Sequence, residues 1–193
     1  MNYVVNYCGK IIDEKSKALI EKYHYSKSAR SLKQIHVFQL ISGVGLIGVA
    51  VFGQVNSKHN LGKKQIELRK LALIDRTQRN AESYFIGACL RWLRKNEKDN
   101  DSVITFADPN NNHYGTIYKA TNFTFLGEES NHYPKLYQVK KTKETFLPRE
   151  VYQKSITTKT YTKKAVALQQ LLKQKKVKVI KLEKKLKFEY KLR

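Results

Sequence analysis

The chain is poor in cysteine and in carboxylates, and each shortage excludes something. Two cysteines among 193 residues, Cys8 and Cys89, are too few and too far apart for a disulfide framework. That usage points to a reducing compartment. No long apolar core follows a basic start in residues 1–10, so the expectation is a cytoplasmic protein without a leader. The five histidines and two cysteines lack zinc-ligand spacing, and no P-loop signature is present. The longest apolar run, Ile35 to Phe52, falls short of the roughly 20 residues of a membrane-spanning helix. It is also broken by Gly43, Gly45 and Gly48. Two buried strands joined near Ser42–Gly45 fit it better, with no membrane as partner. No internal repeat is visible.

Positive charge is plentiful. Lys and Arg number 38 against 16 Asp and Glu, a formal charge of +22 that favours a polyanion as partner. A lysine bias in the source genome gives the same count. Hydrophobic residues at 41% are too many for a disordered chain, and the length suits one domain over 1–193 with a sizeable core. Within it, 163–193 forms a basic segment. Lys163 to Lys176 reads as an amphipathic helix, and Val177 to Leu192 alternates Lys with apolar residues as strands do. A basic face over an apolar one can grip a phosphate backbone; it can equally be a solvated surface.

The chain is organised around Gln65 to Asn96. Gln65–Leu73 reads as a strand, Asp75–Asn80 as a polar turn, and Ala81–Lys95 as a helix. In that helix Tyr84, Phe85, Ala88, Cys89, Trp92 and Leu93 fall at helical spacing on the face expected to meet a sheet. A loop ending on a helix N-terminus presents free N–H donors to an anion, which makes this a candidate coenzyme or nucleotide site. Cys89 lies in the apolar register and reads as core.

Upstream, Tyr3–Tyr7 reads as a strand and Asp13–Tyr23 as a helix ending in Tyr23-His24-Tyr25-Ser26, two aromatics with an imidazole and a hydroxyl. These can line a pocket with His24 as a base, or simply pack as a turn. Gly53–Lys63 reads as a polar loop. Downstream, Ser102–Ala107 reads as a strand ending in Asp108-Pro109 and three asparagines, a pattern typical of a functional loop or an ordinary turn. Tyr114–Ala120 reads as a short helix, Phe123–Leu126 and Tyr137–Lys140 as strands, and Pro148–Gln153 as a turn or short helix. The alternation implies an α/β fold.

The strand, loop and helix around Arg76-Thr77-Gln78-Arg79-Asn80-Ala81 resemble the acetyl-coenzyme A site of the GNAT superfamily. That site's loop reads Gln or Arg, x, x, Gly, x, Gly or Ala. Arg79 stands at the glycine position and offers a side-chain contact to phosphate. Most of the chain resembles the Mom family of phage DNA-modification proteins, a GNAT branch altering adenine N6. The likeness runs through Tyr23–Ser26, Glu67–Leu71, Asn80–Ser83, and Asp108 with Gly115–Phe123.

The resemblance implies a mixed central sheet flanked by helices and acyl-CoA as cofactor. It implies double-stranded DNA with a flipped base as partner, and protection of phage DNA from restriction in the host cytoplasm. His24, Tyr25 and Ser26 stand as one wall of the acceptor pocket, and Asp108 with Tyr118 as the other. Arg76, Thr77, Gln78, Arg79, Asn80 and Ala81 form the coenzyme loop, joined by Arg69 and Ser83. Asp108 orients or deprotonates an amine, Tyr118 serves as an acid, and His24 relays a proton. Tyr118 in packing, Ser83 as a helix cap and Arg69 paired with Glu67 are the structural alternatives. A non-zinc metal such as iron, held by His24 and Asp108, is a further option, as is a homodimer. Two other readings remain open: an N-acetyltransferase acting on RNA, protein or a premodified base, and a non-catalytic basic DNA-binding protein.

Overall fold

The computed structural model describes residues 2–29, 34–55, 63–129, 134–155 and 157–193. The chain packs as two units, Met1–Glu128 with Lys185–Arg193, and Glu129–Lys184.

The first unit is built on a seven-stranded mixed sheet. In chain order its strands are β1 (Val4–Tyr7), β2 (Gln34–Ser42), β3 (Gly45–Gln54), β4 (Gln65–Leu73), β5 (Ser102–Ala107), β6 (Thr124–Glu128) and β10 (Leu186–Lys191). Their spatial order is β1-β2-β3-β4-β5-β10-β6, antiparallel throughout except for the parallel pair β4 and β5. The long apolar run folds as the β2–β3 hairpin, with Gly45 at φ 101° in the turn. Such a run is apolar throughout because both faces of the sheet are covered. Phe38, Leu40, Ala50 and Phe52 join the core of helix α2 (Ala81–Asn96), whereas Val37, Val49 and Val51 pack with Leu19 and Ile20 of helix α1 (Glu14–Tyr23). No described helix is long and apolar enough to cross a membrane.

Helix α2 buries Ala81, Phe85, Ile86, Cys89, Leu90 and Leu93. The stripe is rotated from the one expected. Ile86 and Leu90 join it as buried residues and Tyr84 stays 46% exposed, while Trp92 meets the sheet as expected, stacked on Tyr7 of β1 and edge-on to Phe38 of β2, but is only partly buried. Burial holds the Cys89 thiol well above its usual range, so it packs and does not react. The helix ends at Glu97, whose buried carboxylate lies 2.6 Å from His36 Nε2 on β2 and accepts from the Asp99 N–H. This contact ties the helix to the sheet.

The second unit holds strands β7 (Lys135–Val139), β8 (Thr145–Phe146) and β9 (Val177–Lys181) with helices α4 (Pro148–Val151) and α5 (Lys163–Lys173). The sheet runs β8-β7-β9 and packs Val139 and Phe146 against Val151 and Leu168. The basic segment 163–193 is thus divided: α5 and β9 belong here, while β10 enters the first sheet between β5 and β6. Of the loop expected at 53–63, residues 56–62 lie outside the described residues.

Candidate active site

Strands β4 and β5 pair only from Gln65 to Glu67 against Ser102 to Ile104. Beyond that point they part, while β4 stays paired with β3 as far as Leu73 and β5 with β10 as far as Ala107. A cleft of about 460 Å³ lies in this region, lined by Leu68–Ile74 except Lys70, Phe106, the end of α1 and the segment leading into α3 (Thr116–Lys119).

His24 caps the C-terminus of α1 and is 6% exposed. Its Nδ1 accepts from the Ser26 N–H at 3.1 Å and lies 2.9 Å from Ser26 Oγ, which leaves the neutral ring's proton on Nε2. Burial, aided by the positive field of Lys70, holds His24 down at about 4, so the ring is neutral at physiological pH. The Tyr25 ring lies 4.3 Å from it and is 49% exposed. Burial raises the Tyr25 hydroxyl, with Asp108 and Glu67 adding to the effect. Ser26 is not on the cleft wall; its hydroxyl accepts from Lys70.

His24 makes a prediction about stability. In the unfolded chain it takes up a proton near pH 6.5, and in the folded chain only near pH 4. The unfolded state therefore binds more protons within that window, and stability falls as pH drops through it. After discounting for the solvent-connected cleft the effect is about 2 kcal/mol. Melting at pH 7 and pH 5 should show the loss, and His24→Asn should remove most of it. An equal loss in the variant would assign the effect to other groups.

The opposite wall comes from the segment after β5. Asp108 caps the 3-10 turn Pro109–Asn111: Oδ1 accepts from the Asn110 N–H and Nδ2, and Oδ2 from Asn111 Nδ2. It is not on the cleft wall. Its carbonyl accepts from the His113 N–H at 3.2 Å, so the turn that the Asp108 side chain caps leads directly to His113. The asparagine run has a local cause, since Asn112 takes φ 55°, a left-handed conformation that asparagine tolerates. Tyr118 is 6% exposed, packs on His113, Phe123 and Phe188, and is pushed up to about 12 by burial, so it keeps its proton.

Two residues that line the cleft, Arg69 and His113, each carry a buried side-chain nitrogen, Nη1 and Nδ1, with no hydrogen-bond partner among the described residues. Donors or acceptors buried without partners are costly and mark a place for a ligand. Burial lowers His113, which is also neutral. Sequence reasoning missed His113, because a single histidine in a loop has no spacing to distinguish it. Glu82, which lines the same cleft, was missed as well.

The coenzyme-loop residues divide. Thr77 lines the cleft, while Gln78, Arg79, Asn80 and Ala81 line a second cleft of about 460 Å³ with Tyr3 and Tyr84. Arg76 is exposed. Ser83 donates to the Asn80 carbonyl at 3.0 Å. The left-handed residue is Asn80, at φ 67°, so Arg79 stands at the glycine position of the pattern without backbone strain. Asn80 provides no side-chain cap, which leaves the first-turn N–H groups of α2 uncapped by a side chain. Among the described residues no three His, Cys, Asp or Glu side chains are grouped to hold a metal ion.

A model of the Mom protein family matches residues 6–193. The chain is 28% identical over 150 residues to the methylcarbamoylase mom of Escherichia phage Mu, covering 66% of this chain and 61% of the relative, and so spans less than two thirds of that protein. Solved structures share the fold. A Bacillus subtilis acetyltransferase in complex with CoA has a TM-score of 0.55 at 9% identity, covering 98% of this chain and 99% of that one. An N-acetyltransferase from Staphylococcus aureus Mu50 has 0.53 at 10%, covering all of both. A GNAT family N-acetyltransferase from Escherichia coli in complex with CoA has 0.50 at 16%, covering 63% and 68%.

Proposed function

Since the chain belongs to the Mom protein family, we propose that it is a transferase that modifies the N6 amine of adenine in phage DNA with an acyl-CoA-derived group, acting in the host cytoplasm against restriction. One observation carries this reading. The cleft between the α1 end and the Asp108–Tyr118 segment is lined by Arg69 and His113, each of which carries a buried nitrogen without a partner among the described residues, Arg69 Nη1 and His113 Nδ1, and so has hydrogen-bonding capacity left for a substrate.

The residues present fit an acyl-CoA. The uncapped start of α2 with Arg76 and Arg79 suits the phosphates, and Arg69 reaches the cleft where the acyl end would lie. Bound there, the coenzyme supplies an activated carbonyl. Adenine N6 pairs with thymine inside the stack, so the base must be flipped, at a cost of a few kcal/mol. Tyr25, half exposed beside His24, offers a face to stack on it. The exocyclic amine is a weak nucleophile because its lone pair is delocalised into the ring. The neutral imidazole of His113, whose Nδ1 has no partner among the described residues, can accept its proton, and the Tyr118 hydroxyl can return one to a leaving group; His24, with Nδ1 taken by Ser26 and its proton on Nε2, offers the substrate a donor instead. Asp108 acts through the turn it caps, as a positioning residue for His113.

DNA co-expressed with the protein, digested and analysed by mass spectrometry, should contain a heavier deoxyadenosine. Recovery of only unmodified nucleosides beside soluble, folded protein overturns the reading. Acetyl-CoA should also raise the melting temperature, since at 100 times its Kd a ligand of the folded state adds about 2.7 kcal/mol.

A further inference from the structure

The second unit carries half of the chain's net charge. Residues 129–184 hold 15 Lys and Arg against four Asp and Glu, a net +11 out of +22. The fold gathers part of it. The β7–β8 turn carries Lys140, Lys141 and Lys143, and the end of α5 and start of β9 carry Lys173, Lys175, Lys176 and Lys178. The Lys140 N–H donates to the Lys176 carbonyl at 2.9 Å, and Val139 pairs with Val177, so the two turns lie side by side. All seven lysines are exposed, and Glu144 is the one carboxylate in those two stretches.

These charges oppose folding preferences. Lys143 at φ 62° and Lys175 at φ 54° occupy left-handed positions that glycine or asparagine fills more easily. At the other end of the same strand pair, Lys135 stands directly across from Lys181, and like charges so placed destabilise a sheet. The dipole at the α5 C-terminus accounts for Lys173, but not for Lys140, Lys141 and Lys143, which reach the same edge from a different turn. A uniform lysine bias would spread the charge evenly over both units.

We infer that this lysine edge, formed by the β7–β8 turn and the α5–β9 turn, is a sequence-independent docking surface for the phosphate backbone of duplex DNA. The inference rests on the proposed DNA-modifying function and gives it a holding surface made of residues other than those that line the cleft. Lysines act as point charges on phosphates and carry no base readout. The edge therefore grips any duplex while base choice is made elsewhere.

The test compares the parent protein with a variant carrying Lys140→Gln, Lys141→Gln, Lys143→Gln, Lys175→Gln and Lys176→Gln. The probe is a mixed-sequence duplex, titrated over a range of salt. The log-log slope should fall by two or more, at about 0.9 for each phosphate that the variant no longer neutralises. Protection from heat by acetyl-CoA should stay at the parental level, and arginine at the same positions should restore the slope. An unchanged slope overturns the inference. So does loss of binding to anionic lipid vesicles while duplex binding holds, which would assign the edge to a lipid surface. A reduced slope with no modified nucleoside in co-expressed DNA leaves the surface standing and removes the catalytic reading; modified DNA with an unchanged slope does the reverse.

Discussion

Gly115→Ala should lower the stability of the protein by about 3 kcal/mol, a melting temperature lower by roughly 10 °C for a unit of this size. Gly115 has φ 78°, and a Cβ there would lie 2.3 Å from Phe188 Cζ and 2.5 Å from Cε2. Phe188 is fully buried on β10 and packs against Tyr118 and Phe125, so the ring has nowhere to retreat. The backbone strain and the clash add. Because the Gly115 carbonyl accepts from the Tyr118 N–H at 3.0 Å and starts α3, a chain that relaxes the clash also displaces Tyr118. Activity should therefore fall further than stability alone explains. A variant melting within about 2 °C of the parent would show that the close approach of Gly115 to Phe188 carries no weight.

Tyr118→Phe should lower the modification rate by 10² to 10⁴ while the fold persists. The ring's packing on His113, Phe123 and Phe188 is retained, and what is lost is one buried hydroxyl, worth about 1 kcal/mol. With its hydroxyl pushed up to about 12, Tyr118 holds its proton throughout the working pH range and can give it to a departing group. Quantifying modified deoxyadenosine against time, with melting measured in parallel, separates a chemical loss from a structural one. A parental rate in the phenylalanine variant would end the role assigned to the hydroxyl and leave Tyr118 as a packing residue.

Much of the frame was legible in the order of residues. The β2–β3 hairpin followed from an apolar run interrupted by glycines, and α2 from a helical period after a polar turn. Asp13 takes the cap position before α1, accepting from the Ser16 N–H. Of the two walls expected from the segments that resemble the Mom family, His24 and Tyr25 from one and Tyr118 from the other line the cleft, whereas Ser26 and Asp108 do not. The orientation of α2 was less legible. Periodicity identifies an apolar face only to within about a turn position, and β1 and β2 supplied a neighbour for Trp92 that helical spacing alone does not contain.

Element types, charge and family could be read from the chain alone, because each is encoded locally or in ordered short segments. Which groups meet was settled by the fold. β10, nearly 80 residues beyond β5, enters the sheet between β5 and β6 and brings Phe188 against Gly115 and Tyr118. Asp108, an apparent base, turned its carboxylate to Asn110 and Asn111, while His113, inconspicuous in sequence, emerged with a buried Nδ1 in the cleft. Side-chain pattern reports whether a residue is buried, whereas its partners depend on long-range strand order and register, which are set by covering both sheet faces at once.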